Sequence, residues 1–136
     1  MTSSESETIA RILNNSKTIA VVGISDDPSK PSNKVPKYLK GVGYHIIPVS
    51  TRLDEVLGEK AYASLADIPE PVDVVQLIVR GEYTPPYVDQ AIEIGAKAIW
   101  MQLGISNEEA AEKARAAGLD VVMNHCMMVE HKHLHY

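Results

Sequence analysis

The run Thr18-Ile-Ala-Val-Val-Gly23 leaves a folding chain few choices. It is unbroken, largely β-branched and closed by glycine, so it has no polar face to offer water. Such a strand belongs inside a parallel sheet covered by helices on both faces. Parallel neighbours in turn require long crossover connections, normally helical.

The rest of the chain supplies them. Ser4 and Glu7 have capping-box spacing ahead of Ile9, Ile12 and Leu13, which predicts a leading helix ending near Asn15. After the first strand, a polar, proline-punctuated loop from Ile24 to about Asn33 leads into a helix carrying Val35, Tyr38 and Leu39, ended by Gly41 and Gly43. Tyr44-His-Ile-Ile-Pro-Val49 reads as a second strand, with Pro48 placing it near a strand end or a sheet edge. A short strand is expected around Lys60 to Tyr62, and a helical turn at Ser64-Leu-Ala-Asp67 before Pro69 and Pro71. Further strands are expected at Asp73 to Val79, Lys97 to Gln102 and Val121 to Met123. Helices from Pro86 to Ile94 and from Asn107 to Ala117 separate them, followed by Gly95 and Gly118.

This alternation is the order of a Rossmann-like, doubly wound α/β fold, with a mainly parallel sheet of about five to six strands and helices on both faces. Residues 1–136 read as a single domain, with 1–16 as a leading helix and 125–136 as a C-terminal segment. With 45% hydrophobic residues the chain can bury an ordinary core.

Charge narrows the function classes. A formal net charge of −5, with no basic stripe, argues against a nucleic-acid partner. One cysteine, Cys126, rules out an intrachain disulfide, and the polar, acidic N-terminus is the reverse of a signal peptide, so a cytoplasmic location is expected. No apolar run is long enough to span a bilayer, and no membrane role is indicated.

Doubly wound sheets bind ligands at the carboxyl ends of their strands, here just after Val22, Val49, Val79 and Gln102. The loop Gly23-Ile-Ser-Asp-Asp-Pro-Ser-Lys-Pro-Ser32 lies between a buried strand and a helix N-terminus, a setting suited to phosphate. It lacks the G-x-G-x-x-G fingerprint of dinucleotide sites. After the second strand stand Ser50, Thr51 and Arg52, where an NAD-binding domain would carry an acid. Hydroxyls and a guanidinium suit a phosphorylated ribose, as found in coenzyme A or NADP.

Other constellations are thinner. Gly23-Ile-Ser25 resembles half of a nucleophile elbow, but Asp27 replaces the second glycine, and no catalytic residue is assigned. Four of the five histidines cluster in His125-Cys-Met-Met-Val-Glu-His-Lys-His-Leu-His135. Cys126 has no C-x-x-C partner and His131, His133 and His135 alternate, so no metal site is assigned and the segment is expected to be a solvated tail. Met127, Met128 and Val129 read as apolar packing.

Several stretches together carry a resemblance: Ala20-Val-Val-Gly-Ile-Ser25 with Pro28 and Ser32, Gly43-Tyr44 with Pro48-Val49, and Ala63-Ser-Leu-Ala-Asp-Ile-Pro69. Gly95-Ala-Lys-Ala-Ile-Trp-Met-Gln-Leu-Gly-Ile105 and Cys126-Met-Met-Val-Glu-His-Lys132 complete it. The chain resembles the small stand-alone CoA-binding proteins, whose domain is similar to the CoA-binding domain of the succinyl-CoA synthetase alpha subunit. The resemblance implies a coenzyme A site in which Gly23, Ile24 and Ser25 contact the pyrophosphate, with Ser32 in the same motif. It implies that Ser50, Thr51 and Arg52 flank the adenosine phosphate, that Val79 and Arg80 border the adenine or pantetheine, and that Gln102 and Leu103 lie near the thiol arm. Ligase chemistry is not carried over, because in the synthetase a histidine of a separate domain performs it.

The expected function is therefore binding of coenzyme A or a short acyl-CoA, a small-molecule ligand, by a non-catalytic module. The alternatives are an NADP-linked oxidoreductase subunit and a CoA-thiol redox partner acting through Cys126. An exposed edge strand could also support a homodimer.

Overall fold

The structure, a computed structural model, describes residues 5–135. Ser4, the expected cap of the leading helix, lies outside them. Helix α1 spans Glu5–Asn15, with Ile9, Ile12 and Leu13 buried at helical spacing. Strand β1 follows at Thr18–Val22, helix α2 at Pro31–Gly41 and strand β2 at His45–Val49. Two short strands, β3 (Glu55–Val56) and β4 (Glu59–Lys60), precede a 3-10 turn at Leu65–Asp67. Strand β5 (Val74–Leu77), a 3-10 turn at Gly81–Tyr83 and helix α3 (Thr84–Glu93) come next. Strand β6 (Ala98–Met101), helix α4 (Glu108–Ala116), strand β7 (Asp120–Val122) and helix α5 (Met127–His135) complete the order.

Five of these strands form one parallel sheet in the order β2-β1-β5-β6-β7. Side chains alternate across it, and each face fills its own core. Ile19, Val21, Val74, Ala98, Trp100 and Val122 pack beneath α1, α2 and α5, while Ala20, Val22, Val75, Leu77, Ile99 and Met101 pack beneath α3 and α4. At roughly 1.5–3 kcal/mol for each large side chain taken out of water, these two layers are the main source of stability. Asp73 binds the strand starts together: its carboxylate accepts the N–H groups of Lys17 at 2.8 Å and Thr18 at 3.1 Å.

Pro48 sits in edge strand β2, as its missing N–H requires. Its carbonyl accepts Tyr62 N–H at 3.0 Å, on the side away from β1, so the proline nitrogen costs the sheet no ladder bond.

Two segments differ from the sequence expectation. The strand expected at Lys60 to Tyr62 is not a member of the main sheet. Instead β3 and β4 form a separate hairpin, and Tyr62 makes a single bridge to Val49. Leu57 and Gly58 both have positive φ, 56° and 77°, which gives the two-residue turn a backbone twist that matches paired strands. Lys40 holds the hairpin against α2 by donating to the Leu57 carbonyl and pairing with Glu59 at 3.4 Å.

The C-terminal segment, expected to be a solvated tail, is helix α5. Met127 is fully buried and Met128 packs beside it, as their apolar character predicts, whereas Val129, expected to pack as well, is exposed. The Tyr38 hydroxyl meets His131 Nδ1 at 2.8 Å. No described helix is long and apolar enough to cross a membrane.

Candidate functional site

Strand order reverses at β1: the chain passes through α2 to β2 on one side, then returns to β5 on the other. The loops leaving β1 and β5 therefore diverge, and a crevice opens between them at the carboxyl ends. Gly23 makes this junction possible. Its φ is +89°, and a Cβ there would stand 2.2 Å from the Ile78 carbonyl oxygen and 3.1 Å from Val79 Cγ1. The two main chains meet where only a hydrogen fits between them.

The loop beyond Gly23 is folded on its own polar groups. Ser25 N–H donates to Ser32 O at 3.2 Å, and Asn33 Nδ2 donates to Ser25 O at 2.9 Å, so the loop is closed against the first turn of α2. Ser25 Oγ accepts Asp27 N–H at 3.0 Å, and the Asp27 carboxylate accepts Ser29 N–H and hydroxyl at 2.9 and 2.7 Å. Those bonds with Ser29, side chain then backbone, hold the Asp27 carboxyl below its ordinary value, with Lys30 adding to the effect. Ile24 N–H and Asp26 N–H have no partner among the described residues. Helix α2 adds an N-terminus with no side-chain cap, Pro31 in its first turn and no acid there. Pro31 has no N–H, and Asn33 and Lys34 donate to Lys30 O at 2.9 and 3.0 Å, so the helix dipole and the Ser32 amide are what this end offers an anion.

Across the crevice, Ser50 closes the turn after β2. Its Oγ accepts the N–H groups of Arg52 and Leu53, both at 3.1 Å, which leaves the hydroxyl proton free to donate. Tyr62 bonds Pro48 O and Ser50 N–H, drawing the end of the hairpin excursion back and delivering Ala63 to the same wall. Arg52 is exposed and makes no ion pair among the described residues.

A pocket of about 200 Å³ occupies this corner, lined by Gly23, Ile24, Ser50, Thr51, Arg52 and Val79, and also by Val22, Val49, Ala63 and Tyr87. Six of the residues singled out from sequence thus come together. Ser25 and Ser32 shape the loop behind it. Arg80 lies outside this lining, exposed and paired with Glu82 at 3.5 Å. Leu103 is exposed on the β6 side, whereas Gln102 is buried, accepting Gln76 Nε2–H at 3.1 Å and Met127 N–H at 3.2 Å. Tyr87 and Ala63 were not assigned from sequence. Ala63 opens one of the motifs quoted above, so a signal for it existed; Tyr87 comes from the first turns of α3, which a reading confined to strand ends does not inspect.

A parallel sheet that reverses order beside a glycine, with a polar pocket and free amides at that corner, defines a Rossmann-like ligand-binding domain. Residues 17–132 match the family described as CoA binding domain, and the chain belongs to that family. It is 42% identical over 123 residues to YneT, an uncharacterized protein of Bacillus subtilis (strain 168), covering 90% of this chain and 91% of that one. The solved structure of a hypothetical protein from Pyrococcus horikoshii OT3 matches with a TM-score of 0.92 at 46% identity, covering 96% of this chain and 92% of that one. The alpha subunit of acetate–CoA ligase (ADP-forming) II from Pyrococcus furiosus is 31% identical over 130 residues. That match covers 88% of this chain but only 28% of the ligase subunit.

Proposed function

We propose that the chain binds coenzyme A, free or as a short acyl thioester, across the carboxyl ends of β1, β2 and β5, as a binding module without chemistry of its own. The observation behind this reading is the convergence of Gly23, Ile24 and Ser50–Arg52 on one pocket in a chain of the CoA binding domain family. The corner suits the ligand's chemistry. Two unpartnered amides and an uncapped helix N-terminus favour a pyrophosphate, while the Ser50 hydroxyl and the Arg52 guanidinium favour a ribose phosphate. A volume of about 200 Å³ is below the ~300 Å³ at which sites for whole drug-sized ligands begin, so the pocket takes the nucleotide end and the pantetheine arm runs over the open strand ends.

Isothermal titration with coenzyme A, dephospho-coenzyme A and NADPH tests the reading. Coenzyme A is expected to bind at least about tenfold more tightly than dephospho-coenzyme A, the worth of one charge-assisted contact. Equal affinity for the two would remove Arg52 from the phosphate site. Saturable NADPH binding without coenzyme A binding would favour the NADP-linked alternative.

A further inference from the structure

Just past β5, Ile78 N–H still donates to Val22 O at 2.8 Å, and Val79 supplies the β5 wall of the crevice. From there to Gly81 the hold comes from a local turn and a neighbouring loop. Gly81 O accepts three hydrogen bonds: Thr84 N–H, the Thr84 hydroxyl at 2.7 Å and Asn107 Nδ2–H at 3.0 Å. The first two close the 3-10 turn locally. The third crosses from the start of α4.

Asn107 is committed in three directions. Its Oδ1 accepts Ala110 N–H at 3.0 Å, capping α4, and its own N–H donates to Met123 Sδ at 3.4 Å, beyond β7. Because the cap takes the oxygen, the amide nitrogen must face Gly81. The contact is also tight in main chain: a Cβ on Gly81 would stand 2.3 Å from Ser106 O. The β5–α3 and β6–α4 loops therefore lock together through a glycine with no room for a side chain and an asparagine with both ends of its amide in use.

We propose that Asn107 is a positioning residue for the ligand crevice, latching the β5–α3 loop so that Val79 stays against Gly23 and in the pocket wall. This rests on the reading that coenzyme A binds at that wall. The role is separable from helix capping. Aspartate caps a helix as well as asparagine does, but has no N–H to give Gly81 and sets a carboxylate against its carbonyl.

Asn107→Asp, with Asn107→Ser as a second cap-retaining variant, is compared with the wild-type protein by coenzyme A titration and by NMR amide exchange. The latch predicts faster exchange at Tyr83 and Thr84, protected amides at Ala110 and Ala111, and coenzyme A affinity about fivefold weaker or more. Wild-type exchange at Tyr83 and Thr84 together with wild-type affinity in both folded variants would overturn it. If the wild-type protein itself bound no coenzyme A, the functional reading would fall. The exchange pattern would then decide the latch alone: faster exchange at Tyr83 and Thr84 supports it, and unchanged exchange overturns it.

Discussion

Gly23 lies against the Ile78 main chain so closely that an added Cβ would stand 2.2 Å from the carbonyl oxygen. This contact joins the two strands between which the sheet reverses, and it fixes the width of the crevice. Neighbouring backbone cannot swing aside as a flexible side chain would.

Gly23→Ala is therefore expected to force β1 and β5 apart at their ends and to strain a φ of +89°. A stability loss of at least about 2 kcal/mol, seen as a lower urea midpoint, is expected, together with loss of coenzyme A binding. An alanine variant with wild-type midpoint and affinity would show that the contact yields.

Met127 makes the C-terminal segment part of the core. It is fully buried, and its N–H is held by Gln102. Met127→Ala should cost about 2–4 kcal/mol in denaturant unfolding, as for other buried methionines cut to alanine. A solvated tail would lose almost nothing.

What could be read from residues depended on how many neighbours decide a segment. Thr18 to Val22 is buried over four of its five residues, so its apolar run carried the whole message. Gly23 was equally legible, as the glycine that closes a buried strand. The hairpin was not: Glu55, Glu59 and Lys60 are polar, and two-residue strands are too short to show alternation. Helix α5 was hidden for another reason. Its histidines suggested solvent, while the tyrosines that receive His131, Tyr38 and Tyr44, are more than eighty residues away in sequence. Gln102 stands at an expected strand end, but its side chain continues the alternation of Ala98 and Trp100 onto the face beneath α5, where its partners Gln76 and Met127 are each about 25 residues away in sequence.

His125 links three segments: Nε2 meets Glu5 of α1 at 2.8 Å, Nδ1 meets Glu130 of α5 at 3.2 Å, and its carbonyl accepts the Trp100 indole N–H at 2.9 Å. Burial pulls its pKa down, but hydrogen bonds with Glu5 and Glu130, and their charges, outweigh this and raise it above the ordinary 6.5. A raised folded value means that protonation stabilises the fold. That contribution is complete below the unfolded value of about 6.5 and is lost as pH climbs through the folded one. Urea midpoints of the wild-type protein should fall over that window, while those of His125→Gln should fall less. Parallel profiles would place the titrating group elsewhere.

The central claim is that main-chain amides at the end of β1 receive a linked phosphate. Titrating ¹⁵N-labelled protein with coenzyme A tests it directly, because Ile24 and Asp26 carry the amides that have no partner among the described residues. Their signals are expected to move with the first additions and to stop at saturation, together with those of Thr51 and Arg52. Saturable binding that leaves Ile24 and Asp26 unmoved, or no binding at all, would contradict the account.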